Sequence, residues 1–464
     1  MPKKPNIHFD ISERKILLRI FDIISVLSLL FIVGNIFDFD YFIINEAHWL
    51  WSIVLAIYLT IFATIFELYD LQKASKFEVV VQNIILTSSV TVLFYLLTPF
   101  YTPMLPENRL QIVYFYLSIN LSLFIWRYLY IVLISAPRYF KKVLLLCNTA
   151  DLDEIITCLQ KSDPNYKVIG FINTDIKHFT KYNSQDLLEF NVENVTEIVE
   201  KHKVSEIVVA TSQDDEITVK LYNQLINLLE KGVPIREYTQ VYEEITHRVP
   251  VQHVDKDFYR YFPFSRSNQN KLYLFFHRIL DLVSSVIGLL VGFLLLPIII
   301  FGNIIANRGP LFYTQERVGR NGKHFKIYKF RSMVTDAEKH GAKYAVKSDS
   351  RVTKFGRFLR MSRIDEFPQF INVILGDMSL IGPRPERPVF VKELSDKIPF
   401  YEVRHIIKPG VTGWAQVNAD YGVTTGDALE KLQYDLFYIK HRSFFLDFRI
   451  IVKTVSTIIF YRGQ

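Results

Sequence analysis

The chain has 464 residues, half of them hydrophobic and 15% aromatic, with a formal net charge of +7. With its positive mean hydropathy, that composition fits a membrane protein better than a soluble enzyme, and the charge suits anionic headgroups or phosphorylated substrates. No zinc-finger spacing or RNA-binding aromatic motif accompanies the basic residues, so no nucleic-acid partner is expected.

Four apolar stretches come first, at about 16–36, 49–68, 79–101 and 110–134. Each is near the ~20 residues that a helix needs to cross a bilayer. Lys3, Lys4, Arg14 and Lys15 precede the first, and Arg19 lies in its first turn. The next loop carries Asp38, Asp40 and Glu46 without a cation; Lys73 and Lys76 follow the second stretch, Glu107 and Arg109 the third, and Arg138, Lys141 and Lys142 the fourth. Because positive loops stay cytoplasmic, this reads in, out, in, out, in. The first run is too long for a cleavable signal peptide, and no small-residue cleavage site follows it. Cys147 and Cys158 fall on the cytosolic side, where no disulfide is expected.

From Lys142 strands alternate with helices. Strands are predicted at 143–146, 167–172, 207–210 and 233–235, with helices at 151–162, about 192–202 and about 215–231. Alternation of this kind implies a parallel sheet of Rossmann type. The turn after the first strand, Cys147-Asn148-Thr149-Ala150, lacks the glycines that bring backbone amides to a pyrophosphate, which favours a structural or regulatory role. Residues 251–270 read as a linker.

Between Asp281 and Arg308 lies a fifth apolar run without a charged residue. Basic residues flank both of its ends, and Pro297 sits inside it, removing a backbone hydrogen bond. A helix at about 275–306 that enters and leaves by one leaflet fits both facts; a kinked true span is the competing reading.

The chemistry is concentrated after this run. Phe325 to Met333 alternates as a strand does, and Lys329 and Arg331 could share a face and clamp a diphosphate, although a basic strand edge has the same pattern. Arg351, Lys354, Arg357, Arg360 and Arg363 drift around a helix rather than forming one stripe. They lead to Asp365-Glu366 in Arg363-Ile364-Asp365-Glu366-Phe367-Pro368-Gln369. Adjacent acids point in different directions and can take different tasks, one as nucleophile or proton carrier and the other as metal ligand. The nearby cations suggest that the reacting group is a phosphate. Tyr434 to Val452, apolar and aromatic with basic residues interspersed, reads as an interfacial helix, with core packing as the alternative for its aromatic half.

In order along the chain stand Gly309-Pro310, Gln315-Glu316-Arg317-Val318-Gly319, Lys329-Phe330-Arg331-Ser332-Met333, Asp365-Glu366-Phe367-Pro368-Gln369, Gly376-Asp377-Met378-Ser379, Gly382-Pro383-Arg384-Pro385-Glu386 and Lys408-Pro409-Gly410-Val411-Thr412-Gly413. With the Pro297 run, they make everything from about Lys271 onward resemble the bacterial polyprenol-phosphate sugar-phosphate transferases, the large monotopic phosphoglycosyl transferases. Where many members place Ser before the helix-breaking proline, this chain has Leu296.

The resemblance implies a membrane α-helical N-terminal bundle (1–138), an α/β Rossmann-like middle domain (139–250) that is accessory, the linker, and a mostly α-helical membrane-associated catalytic domain (271–464) with a re-entrant helix broken at Pro297. It implies that Asp365 attacks the β-phosphate of a UDP-sugar, releases UMP and holds the sugar phosphate covalently. Undecaprenyl phosphate then accepts it, initiating a surface polysaccharide. Glu366 is the implied Mg2+ ligand; Lys329, Arg331, Arg363 and Arg384 are the expected phosphate or nucleotide contacts. Glucose or galactose is the expected sugar, with an N-acetylated amino sugar as the alternative. The expected setting is the cytoplasmic face of the bacterial inner membrane, among its lipids, with a homodimer left open. An inactive membrane regulator sensing a nucleotide is the reading from another class. A transporter is disfavoured, because the few span charges, such as Asp22 and Arg127, lie away from the midplane.

Overall fold

In the computed structural model, the described residues are 11–37, 41–69, 77–133, 141–148, 152–162, 166–173, 187–210, 219–251, 270–337, 339, 341, 349–419, 422 and 424–459. Most of the expected linker at 251–270, residues 149–150 of the glycine-free turn, and Asp38, Asp40, Lys73, Lys76 and Arg138 lie outside them. The chain divides into two compact units, Met1–Thr246 and His247–Gln464.

The first unit begins with four apolar helices, α1 (Ile11–Ile36), α2 (Trp49–Ile65), α3 (Phe77–Leu97) and α4 (Leu110–Leu133). α1 packs on α4, α4 on α3, and α3 on α2. α2 has only 17 residues and stops short of the expected 68, because Glu67 turns to a positive φ of 56°. α3 stops at Leu97: Thr98 precedes Pro99, and the residue before a proline is disfavoured in a helix. Among the described residues, the helices long and apolar enough to cross a membrane are Ile16–Ile36, Val80–Leu97, Leu110–Val132 and, in the second unit, Lys271–Asn307. Asp22 and Arg127, both buried, pair at 2.6 Å and fasten α1 to α4.

Next comes a five-stranded parallel sheet, β1 (Lys141–Cys147), β2 (Tyr166–Asn173), β3 (Leu188–Glu189), β4 (Glu206–Ala210) and β5 (Ile235–Glu237), in the order β3-β2-β1-β4-β5. The helices between and after these strands are α5 (Leu152–Ser162), α6 (Val195–His202), α7 (Val219–Glu230) and α8 (Tyr238–Thr246). β1 is buried almost throughout, and its alternate residues feed two cores, Val143 and Leu145 one, Leu144 and Leu146 the other. Burial on both faces is why its sequence is a continuous aliphatic run. β3 and α8 are additions to the elements expected from sequence. Glu206, wholly buried at the start of β4, is neutralised by Lys141 at 2.5 Å and by Arg236.

The second unit is mostly helical. The first α-helix among its described residues, α9, runs from Lys271 to Gly302, capped by Asn270, whose Oδ1 accepts from Leu272 N and Tyr273 N. The helix continues through Pro297 and ends in a π-turn at Asn303–Asn307. A hairpin follows, β6 (Phe312–Val318) against β7 (His324–Phe330), in register from Phe312↔Phe330 to Val318↔His324. Then come α10 (Lys354–Met361), a 3-10 turn (Ile364–Glu366), α11 (Gln369–Leu375), β8 (Ser379–Ile381), α12 (Pro388–Lys397), β9 (Gly410–Thr412), α13 (Trp414–Asn418), α14 (Thr425–His441) and α15 (Phe444–Ile459).

Two close approaches fix this unit. α9 presents Gly288 and Gly292 to the segment after the acid pair: a Cβ at Gly288 would lie 2.3 Å from the Phe370 ring, and one at Gly292 3.4 Å from Phe367. The parallel pair β8–β9 brings backbone onto backbone, so that a Cβ on Gly410 would lie 2.1 Å from Gly382 N. The expected interfacial helix at 434–452 is two helices. Leu432 to Leu436, Tyr438 and Ile439 of α14 are buried, so core packing accounts for this aromatic half, whereas Phe444, Phe445 and Phe448 of α15 are exposed.

Candidate active site

Asp365 and Glu366 lie in the 3-10 turn between α10 and α11, and both are buried. Arg363 enters the turn with a φ of 57°, a left-handed conformation uncommon for a side-chain-bearing residue. Behind the turn, Phe367 and Phe370 seat in the glycine groove of α9. The apolar helix therefore fixes the height and direction of the acid pair.

Three cations converge on Glu366. Lys329 Nζ from β7 and Arg384 Nη2 each donate to Oε1 at 3.2 Å, and Arg363 Nη1 donates to Oε2 at 3.4 Å. Burial disfavours its charge, but Lys329, Arg384 and Arg363 outweigh that and hold the carboxyl well below the usual range. Asp365 moves the other way: burial, with the Glu366 charge adding to it, pushes its carboxyl up to about 6. Lys329 is lowered by burial, against the pull of Glu366. Two neighbouring acids thus have opposite protonation tendencies, which is how one site divides two roles.

The expected set is only partly brought together. Lys329, Arg363 and Arg384 meet at Glu366, and Arg331 does not. Its guanidinium donates to four other groups, Pro310 O (2.7 Å), Met333 O (3.0 Å), Asn307 O (3.0 Å) and Asn303 Oδ1 (3.3 Å). β7 ends at Phe330, so Arg331 leaves the strand and ties down the π-turn at the end of α9. Pro297 lies at this end of α9 as well, beside Leu296, which packs against the cluster of Ile299, Phe330 and Leu359.

Several contributors were not expected. A small cavity beside the acid pair is lined by Arg317, Ile327, Lys329, Gln369, Arg384, Pro385 and Gly410. Gln369 is buried, and its Nε2 has no hydrogen-bond partner among the described residues. Arg317 Nη1 donates to Pro385 O at 3.0 Å, and Arg404 Nη2 donates to Arg384 O at 3.0 Å and to Asp435 Oδ2 at 2.7 Å. These two arginines shape the Arg384 loop from either side. Arg317 stood inside a noted motif, and Arg404 and Asp435 carried no local signal: their pairing depends on how α14 folds back.

Asp365 and Glu366 are hard oxygen donors, and no group of three or more His, Cys, Asp or Glu able to hold a metal occurs among the described residues. Magnesium commonly takes one or two carboxylates together with substrate phosphates, so the pair suits that ion when phosphate is present.

Residues 272–461 match the family model described as bacterial sugar transferase. Over 255 residues the chain is 38% identical to the UDP-N-acetylgalactosamine-undecaprenyl-phosphate N-acetylgalactosaminephosphotransferase of Aeromonas hydrophila, covering 54% of this chain and 58% of that protein. It is 48% identical over 141 residues to a putative undecaprenyl-phosphate N-acetylgalactosaminyl 1-phosphate transferase of Bacillus subtilis, covering 30% of this chain and 79% of that one. The undecaprenyl-phosphate glucose phosphotransferase of Komagataeibacter xylinus is 40% identical over 192 residues, with 40% and 36% covered. The alignment thus spans little more than half the length of the Aeromonas enzyme and about a third of the Komagataeibacter one. With four-fifths of the Bacillus relative covered, the chain belongs to the bacterial sugar transferase family.

Proposed function

We propose that this protein transfers a sugar 1-phosphate from a UDP-sugar to undecaprenyl phosphate by two displacements at Asp365. In the first, an Asp365 carboxylate oxygen bonds to the β-phosphorus of the UDP-sugar. The bridging P–O bond breaks, and UMP departs with its electron pair. In the second, a phosphate oxygen of undecaprenyl phosphate attacks the same phosphorus and restores the carboxylate, leaving an undecaprenyl diphosphate-linked sugar.

The observation that carries this reading is the contrast within the acid pair. Asp365, whose carboxyl is pushed up to about 6 by burial and by the Glu366 charge, is more basic than an ordinary aspartate, as suits a nucleophile. Glu366, held ionised by three cations, is the residue that would bind magnesium, with Asp365 at its side. Bound there, the ion would offset phosphate charge. Lys329, Arg363 and Arg384 would swing part of their hydrogen bonding from Glu366 to the diphosphate and stabilise the charge that develops on it. Arg317 and Gln369, on the cavity wall, are added to this set; Arg331 is assigned instead to holding the α9 end.

Glucose, galactose and N-acetylgalactosamine are the candidate sugars. The N-acetylated reading draws on the Aeromonas and Bacillus relatives, and the glucose reading on the Komagataeibacter enzyme. We place the catalytic unit on the cytoplasmic face of the inner membrane, where UDP-sugars are made, with α9 re-entrant around Pro297 and the exposed aromatics of α15 at the interface. The parallel sheet is read as a Rossmann-like accessory domain. The product would start a surface polysaccharide.

The test uses purified full-length protein, magnesium, undecaprenyl phosphate and a panel of UDP-sugars. UMP release with one sugar, lost in Asp365→Asn, supports the assignment, and a labelled sugar phosphate on wild-type protein supports the covalent step. Release that survives Asp365→Asn overturns the nucleophile.

A further inference from the structure

We propose that Asn372, outside the acid pair and the cavity wall, is a positioning residue that sets Lys329 against Glu366. It lies in α11 and is fully buried beside Val373 and Met378. Its carboxamide makes two bonds to one strand: Nδ2 donates to Lys326 O at 2.8 Å, and Oδ1 accepts from Tyr328 N at 3.1 Å.

In a β-strand the carbonyl of residue i and the amide of residue i+2 face the same edge. The opposite edge of β7 is held by β6 through the pairs Phe325↔Arg317, Ile327↔Gln315 and Lys329↔Tyr313. The Asn372 amide therefore fills the outer edge of β7 as a third strand would. It does so next to Lys329, whose Nζ reaches Glu366 at 3.2 Å. The same residue's carbonyl accepts from Gly376 N and Asp377 N at 3.0 Å, closing the end of α11. One side chain thus joins the strand that carries the cation to the helix that follows the acids. The carboxamide supplies the donor and the acceptor from two separate atoms, one for each backbone group: a Ser hydroxyl has a single oxygen for both tasks, Asp lacks the donor, and Leu has neither.

This inference rests on the transferase reading for its kinetic arm, and a second arm is independent of it. Full-length wild type, Asn372→Ser, Lys329→Met and the double variant are compared for UMP release. Asn372→Ser is expected to lower kcat roughly 10- to 100-fold, with little change in KM for the UDP-sugar. Because the effect passes through Lys329, the double variant should be no slower than Lys329→Met alone. In the second arm, substrate-free protein is acetylated with limiting acetic anhydride and read by mass spectrometry. Lys329 should react several-fold faster in Asn372→Ser than in wild type, measured against Lys323, which is exposed at the hairpin turn. Multiplying losses in the double variant, or unchanged Lys329 acetylation, overturns the proposal. If wild type releases no UMP with any sugar, the transferase reading fails and the acetylation arm alone decides. Should Asn372→Ser not fold, Asn372→Asp, which keeps the acceptor and the volume, carries both comparisons.

Discussion

Asp281 in the apolar helix α9 accepts a hydrogen bond from Ser379 Oγ of β8 at 2.8 Å, and the same oxygen accepts from Leu380 N at 2.7 Å. This carboxylate locks the helix to the strand that leads into Gly382-Pro383-Arg384. Asp281→Ala would take the acceptor from the buried Ser379 hydroxyl and the partly buried Leu380 amide, for a loss of about 2–4 kcal/mol, whereas Asp281→Asn keeps the accepting oxygen and should cost less than half as much. Thermal unfolding of both variants in detergent checks the order.

Arg331 and Arg384 should separate by readout. Removing Arg331 takes away the donor to Pro310 O, Met333 O, Asn307 O and Asn303 Oδ1, so Arg331→Met should lower the unfolding temperature markedly. Arg384 is partly exposed and bonded to Glu366, so Arg384→Met should leave that temperature nearly unchanged and lower kcat/KM by roughly 100-fold or more. The reverse pattern would restore Arg331 to the phosphate contacts.

Gly288→Leu should displace Phe370, since even a Cβ there would meet its ring at 2.3 Å. The acid pair would move with it, and UMP release should fall at least about 100-fold while the protein still inserts into membranes. Gly288→Ala with Phe370→Leu, which trades volume across the contact, should recover part of the loss.

Chelation should stop UMP release, and added magnesium should restore it. Glu366→Gln should raise the magnesium concentration at half-maximal rate by at least about 10-fold, the cost of losing even an outer-shell partner. An unaltered magnesium titration in Glu366→Gln would remove Glu366 from the metal site.

Burial pushes the Asp435 carboxyl up to about 6, against the opposing pull of Arg404. Raised above its unfolded value, this group favours the folded state most below about pH 4, and that contribution is lost as pH rises through about 6. The change amounts to at most about 3 kcal/mol. Between pH 4 and 7 the unfolding temperature of wild type should therefore fall relative to Asp435→Asn; equal pH profiles would contradict the shift.

Much of the site was legible because its residues are close in sequence. Asp365 and Glu366 are adjacent, Arg363 precedes them by one turn, and their unlike surroundings follow from side chains that cannot share a direction. The strand pattern read over 325–333 included Lys329, which lies on β7 and reaches Glu366, and it carried Arg331 along, because alternation has no means of showing that a strand ends at Phe330. The span at 49–68 was read too long for a related reason: hydropathy continues past the point where Glu67 turns the backbone.

The sequence by itself determined the apolar helices, the parallel sheet and the acid pair with its nearby cations, since these depend on run length, period and neighbouring residues. Only the tertiary structure decided which cations reach Glu366, that Arg331 serves the α9 end, that Gly288 and Gly292 receive Phe370 and Phe367, and that Arg404 pairs with Asp435. Those contacts join residues far apart in the chain, and they exist only once packing has fixed the distances over which hydrogen bonds and charges act.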